Sequence, residues 1–254
     1  MFKAFRILIL LLILVGVAFG TWRTKTRSVE WKRDLPVNMY LVNGDGSETA
    51  EKYLSSLTVD DFKPINRFMR DEADRYGRTS NASIDIRLGG TIATQPPAPP
   101  RSGSALEAII WSLKMRWWAY RNGETTGPGP QVKMFLLYFD PVQTGMLDHS
   151  TGLQKGLIGR VNVFASRDMA RQNNVIITHE FLHTLGATDK YDPATNLPAY
   201  PDGYANPDLV PPEPQTFAEI MAGRIPVSQT SATIPESLND VVIGGLTAKE
   251  INWK

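Results

Sequence analysis

Residues 178 to 192 read Thr-His-Glu-Phe-Leu-His-Thr-Leu-Gly-Ala-Thr-Asp-Lys-Tyr-Asp, which sets His179, Glu180, His183, Gly186 and Asp189 at intervals that constrain everything around them. On an α-helix, positions i and i+4 lie about 40° apart around the axis, so His179 and His183 leave one face and can share a metal ion. Glu180 sits at the flank of that face, placed to act as a general base on a water bound to the same ion. Gly186 comes three residues after the second histidine, where helices commonly close on a left-handed residue that glycine adopts without strain. The chain then turns back, and Asp189 is the first carboxylate beyond the bend and the expected third ligand. Asp192 and Glu219 compete for that place. Asp192 alternatively accepts a hydrogen bond behind a ligand imidazole. Lys190 and Tyr191 follow closely enough to polarise a substrate carbonyl.

The setting of the helix argues against a solvated chance match. Val175, Ile176, Ile177, Phe181, Leu182 and Leu185 make it apolar on nearly every side, the pattern of a helix run through a domain centre. Two imidazoles and a carboxylate are costly there unless a metal or hydrogen bonds satisfy them. The chain has only three histidines, so their clustering is informative. The third, His149, lies in Leu147-Asp148-His149-Ser150, a loop whose adjacent side chains point apart, and reads as a surface residue.

The string resembles the metzincin metalloproteases, whose pattern is His-Glu-x-x-His-x-x-Gly-x-x-His followed by a methionine turn. Asp189 in the last position is similar to the aspartate variant of the snapalysin group. The resemblance implies that Met221, in Ala218-Glu-Ile-Met-Ala-Gly223, is the apolar floor beneath the metal. It also leaves one role vacant, because Gly223 stands where several metzincins carry a tyrosine. In that family a sheet edge strand borders the cleft and pairs with an extended substrate, a role that falls here on Arg160 to Phe164.

A formal net charge of +1 over 254 residues gives no basic excess for nucleic acid, and zero cysteines exclude a disulfide framework. Lys3 and Arg6 precede an uncharged run from Ile7 to Trp22, read as a signal-anchor or signal peptide over residues 1–22. A basic linker is expected over 23–35. Residues 36–254 form the catalytic domain, divided into 36–190 with the zinc helix and 191–254 with a Pro-rich loop, the methionine turn and a terminal helix. The expected location is a single-pass membrane anchor with an extracytoplasmic catalytic domain; the alternative is a protein secreted after cleavage.

Strand and helix signals alternate along the domain. Val37 to Val42, Ile84 to Leu88, Val132 to Phe139 and Leu157 to Ala165 read as strands. Phe62, Ile65, Met69, Ala73 and Tyr76 recur at helical spacing behind Asp60 and Asp61 as caps. Leu106, Ile109, Ile110, Leu113, Trp117 and Tyr120 share one face of a second helix that begins at Ser104, and Trp111, Trp117 and Trp118 read as core and packing surface. Seven prolines between 193 and 214 deny that stretch regular structure, and Asp202, Asn206 and Asp208 within it are candidates for a structural calcium ion. Leu246 to Trp253 reads as a terminal helix.

The fold class is α+β, a mixed twisted sheet of metzincin type with a central active-site helix and a small, mostly irregular C-terminal subdomain. The expected function is a zinc-dependent endopeptidase with peptide or protein substrates, one catalytic zinc held by His179, His183 and Asp189, and Glu180 as base. A noncatalytic zinc-binding envelope protein and a zinc hydrolase of a nonpeptide amide remain open beside it.

Overall fold

The computed structural model describes Arg6, Thr26 and residues 28–78, 84–100, 104–124, 127 and 131–254. Its fold is α+β. Strands β1 (Leu35–Asn43), β2 (Ile84–Ile92), β3 (Val132–Phe139), β4 (Thr151–Leu153) and β5 (Ile158–Phe164) form one five-stranded sheet in the order β2-β1-β3-β5-β4. All neighbours are parallel except β4, which runs antiparallel to β5. The central strands β1 and β3 are apolar almost throughout because both faces of the sheet are covered.

One face, presented by Val37, Met39, Leu41, Met134 and Leu136, packs against three helices: α1 (Glu48–Ser55), α2 (Lys63–Arg75) and α4 (Ala170–Leu185). The opposite face, presented by Tyr40, Val42, Phe135 and Leu137, carries α3 (Ala105–Asn122) alone among the described helices. One helix adds to the sequence reading and one cap differs from it. Helix α1 starts from a Ser47 cap that accepts from the Ala50 N–H. The turn before α2 is capped by Thr58, whose backbone N–H donates to Asp61, so Asp61 closes the cap from inside.

The C-terminal part belongs to the same core. Ala218, Ile220, Met221, Val241, Ile243, Ala248, Ile251 and Trp253 are buried with the sheet residues, although the stretch from 192 to 217 holds only isolated bridges such as Tyr191 with Pro198. Two short pairs, β6 (Ala218–Glu219) with β9 (Val241–Val242) and β7 (Ile225–Ser228) with β8 (Ser231–Thr233), give the region its order. Helix α5 (Gly245–Glu250) ends it. Trp31 lies inside the expected linker, yet it is buried, packs at a tilt against Trp253 with ring centroids 5.4 Å apart and donates its indole N–H to the Ile251 carbonyl at 2.7 Å. Part of that segment, Ser28, Trp31 and Leu35, is therefore buried against the domain, while Lys32, Arg33 and Asp34 are exposed.

Three expectations are corrected here. The sheet edge beside the metal helix is β4, because β5, which contains Arg160 to Phe164, is flanked by β3 on one side and β4 on the other. The apolar stripe of α3 faces outward: Leu106, Ile109, Leu113, Trp117 and Tyr120 are exposed, and Trp111, Met115 and Ala119 take the buried side. The membrane anchor, and with it membrane partnership and single-pass localisation, is withdrawn. Among the described residues no helix is long and apolar enough to cross a membrane, and the run from 7 to 22 lies outside them. Helix α3 matches a span in length but carries Glu107, Lys114, Arg116 and Arg121.

Helix α4 stops as the sequence implies. Gly186 is left-handed at φ 111°, its N–H returns to the Leu182 and His183 carbonyls, and Ala187 adds a bond to Leu182. The Gln154 amide, which donates to the Leu185 carbonyl at 3.3 Å, fills the space where a side chain at 186 would begin. Gly186→Ala combines left-handed strain with that collision and should cost about 2 kcal/mol or more, read by urea denaturation. Unchanged stability would show that the bend tolerates other geometries.

Candidate metal centre

Helix α4 is gripped on most sides by the core, with Val175, Ile177, Phe181, Leu182 and Leu185 buried. Its buried hydroxyls are satisfied locally, Thr178 donating to Asn174 and Thr184 to Phe181. One face is left for the two imidazoles, whose rings stand edge to face at 4.7 Å. Each ring is fixed from behind: His179 Nδ1 donates to the Ile220 carbonyl at 2.9 Å and His183 Nδ1 to the Ala187 carbonyl at 2.8 Å. A carbonyl only accepts, so the Nδ1 positions carry hydrogen and the Nε2 atoms are the ones turned forward, each offering a lone pair to a metal when it carries no proton.

Those lone pairs meet. The two Nε2 atoms are 3.1 Å apart, and Asp189 Oδ1 lies 3.2 Å from that of His179 and 3.1 Å from that of His183. Three acceptors this close repel unless something positive is shared among them. Burial disfavours charge on His179, but the neighbouring Asp189 and Glu180 carboxylates outweigh it and hold its pKa up to about 9. Burial also works against the Asp189 charge, and the two imidazoles override it, holding that carboxyl well below the usual range. The cluster therefore attracts cations. Donors at about 2.0–2.1 Å around a tetrahedral zinc ion lie roughly 3.3 Å from one another, so a triangle of 3.1–3.2 Å fits such an ion with little adjustment.

Glu180 completes the group. It offers a carboxylate oxygen within 4.8 Å of a ring nitrogen of each histidine, so His179, Glu180 and His183 together can hold a metal ion. Asp189 approaches both imidazoles more closely, which leaves Glu180 as the second carboxylate facing the pair. It is buried, and its Oε2 has no hydrogen-bond partner. Burial raises its pKa and the Asp189 charge adds to the rise, while the two imidazoles and the facing Gly152 N–H pull the other way. Gly152, in the middle of β4, has no room for a side chain: a Cβ there would run into the Glu180 carbonyl and His183 Cβ. The edge strand therefore lies directly against the metal helix. Nothing in the sequence separates Gly152 from the other loop glycines.

Asp189 is held from a distance. Lys190 Nζ is buried and donates to the Thr188 carbonyl, the Thr188 hydroxyl and, at 2.8 Å, Glu250 of α5. Glu250 in turn accepts from the Thr188 N–H and hydroxyl, and the Lys190 N–H donates to the Met221 carbonyl. Lys190 is thus fully engaged and does not face a substrate carbonyl. Sequence reasoning missed Glu250, which stands among other charged residues near the chain end.

Tyr191 is half-buried close to the charges of Asp189 and Glu180, which together with burial raise its pKa. The Asp192 carboxylate accepts the Ala194 N–H and its carbonyl closes the turn to Asn196, so it organises a loop and is not joined to the imidazoles by any hydrogen bond. Met221 is fully buried in the turn whose Ile220 carbonyl fixes His179. Glu219 is no ligand. Its buried carboxylate accepts from the N–H groups of Met221, Ala222 and Gly244 and from the Thr247 hydroxyl, pinning that turn to α5. Asp202 and Asp208 join no group of three metal-ligating side chains among the described residues, and Asn206 is bound by Gln215 through its backbone, so nothing supports the calcium expectation. His149 is exposed.

The sequence matches no protein-family model and no curated protein. Among solved structures it is similar to OgpA from Akkermansia muciniphila at 12% identity and a TM-score of 0.38, over 85% of this chain and 59% of that one. The chain thus spans less than two thirds of OgpA, and a likeness of this degree assigns no chemistry to the residues above.

The Lys190–Glu250 pair makes a clear prediction. Glu250→Ala leaves a buried ammonium without its carboxylate and should cost about 3 kcal/mol. Zinc affinity, measured by chelator competition, should fall roughly 10–100-fold as Asp189 loses its support. Burial acts to raise the Glu250 pKa, but Lys190 and the Thr188 donors outweigh it and lower it. Its contribution to stability is therefore complete above the ordinary glutamate value of about 4.3 and is lost as pH falls through the folded-state value. A variant with unaltered zinc affinity would remove Glu250 from any role at the centre.

Proposed function

We propose that the chain is a zinc-dependent endopeptidase of metzincin-like design, with His179, His183 and Asp189 as ligands and Glu180 as general base. One observation carries the reading. Three lone-pair donors converge at 3.1–3.2 Å with both imidazole Nδ1 hydrogens committed to backbone carbonyls, beside a buried carboxylate oxygen that no protein group satisfies. A site built only to hold a structural ion has no use for that fourth, unpartnered group.

Zinc in this place supplies a Lewis acid that polarises a scissile carbonyl and acidifies a neighbouring water. The protein's own groups do the rest. Glu180 Oε2 accepts the proton of the attacking water, keeps it in a buried setting that raises its affinity for protons, and delivers it to the departing amine nitrogen. The hydroxyl of Tyr191 donates toward the oxygen on which charge develops. Strand β4 is a sheet edge beside the helix, and an extended peptide laid along it gains main-chain hydrogen bonds that hold the scissile bond over the site. That edge favours a peptide over a nonpeptide amide. Met221, buried behind the turn that fixes His179, serves as the floor.

Glu180→Gln keeps the shape of the side chain and removes the base. Zinc content should remain stoichiometric while hydrolysis of a casein-type substrate drops at least 10²–10⁴-fold. Full activity in that variant overturns the assignment of the base, and a wild-type protein with no bound metal overturns the reading as a whole.

A further inference from the structure

Helix α3 presents a broad apolar stripe to solvent. Leu106, Ile109, Ile110, Leu113, Trp117 and Tyr120 expose between 43% and 74% of their surface. Together they offer on the order of 700 Å² of largely apolar area, above the usual patch on a monomer and close to the ~800 Å² per partner of a standard specific interface. The arrangement is periodic. Leu106, Ile110, Leu113, Trp117 and Tyr120 follow one another at intervals of 4, 3, 4 and 3 residues, the a/d spacing of a two-helix seam. A single solvated helix has no use for that spacing.

The charges beside the seam choose an orientation. Glu107, Lys114 and Arg121 lie along one flank at intervals of seven, and Arg116 lies on the other. With two copies of the helix parallel and in register, the basic last turns, each with Arg121, lie side by side and the helix dipoles add unfavourably. With the helices antiparallel, Glu107 of each copy meets the basic end of the other, Lys114 or Arg121, and the helix dipoles oppose favourably. A patch that complements itself across a two-fold axis is the requirement of an isologous dimer.

We propose that two copies of this chain associate through an antiparallel pairing of their α3 helices. The pairing covers the stripe and lies on the side of the sheet opposite α4, so both metal centres and both β4 edges stay open. It is independent of the chemistry assigned to those centres.

The chain contains no cysteine, so single engineered thiols report the geometry directly. In the full-length protein, Leu113→Cys lies near the two-fold axis and should form a covalent dimer with a short bismaleimide. Leu106→Cys alone should not link to itself, because the axis places it far from its own copy, but it should link when mixed with Tyr120→Cys. Leu113→Glu should convert a dimeric mass in light scattering to a monomeric one, weakening association on the order of a hundredfold, with circular dichroism and metal content unchanged. Self-linking of Leu106→Cys as efficient as that of Leu113→Cys overturns the antiparallel arrangement. A monomeric wild-type mass overturns the dimer, including where the stripe binds phosphatidylcholine–phosphatidylglycerol vesicles in a manner lost in Leu113→Glu.

Discussion

Three hydrogen-bond acceptors held 3.1–3.2 Å apart in a half-buried site repel one another, and the architecture around α4 reads as the means of holding them there. Each is fixed by a different part of the chain. His183 is fixed locally by the bend at Gly186, through the Ala187 carbonyl. His179 is fixed by the Ile220 carbonyl, 41 residues away. Asp189 stands between Thr188 and Lys190, both tied to Glu250 in the terminal helix. The C-terminal region contributes none of the three donors, yet two of them depend on it.

That dependence explains the polar investment in a region with little regular structure. Glu219 is completely buried, and it is tolerated because three N–H groups and a hydroxyl surround its carboxylate. Those bonds lock the turn at Ile220 to α5, and α5 carries Glu250. The His179 carbonyl partner and the Asp189 clamp are thereby parts of one rigid unit. An apolar residue at 219 would pack as well but leave the turn free to choose its direction. Lys190 has the same logic on a smaller scale, a buried cation tolerated because Glu250 of α5 and Thr188 of its own loop satisfy it.

What the sequence discloses follows from the range of each interaction. The metal helix, its left-handed stop and the arrival of Asp189 are encoded within a dozen residues, and spacing alone places them. The long central strands are legible because burial on both faces makes them apolar throughout. Strand β4 is not, since Thr151–Leu153 is too short to carry a period, and the missing side chain at Gly152 becomes meaningful only when α4 is laid against it. Lys190 and Glu250 meet across 60 residues, and Asp192 looked like a supporting carboxylate until the turn to Asn196 claimed it. The α3 face is a different kind of failure. Its periodicity was real, but a helix apolar on two sides gives no sign of which side meets the sheet.

Size and shape decide that question. The sheet face under α3 is formed by Tyr40, Phe135 and Leu137, with the Tyr40 and Phe135 rings stacked at 5.1 Å, and Trp118 of α3 sets its ring edge-on to Phe135 at 4.8 Å. Met115 and Ala119 fit against such a surface because one is narrow and adaptable and the other small. Trp111, Met115 and Ala119 take the side toward the sheet, the leucine and isoleucine stripe turns outward, and the two faces of the sheet divide their roles. One is closed by α1, α2, the helix α4 that carries the two imidazoles, and the C-terminal region. The other is thinly covered and carries its largest apolar surface on the outside, where a second molecule can bury it without touching the cleft.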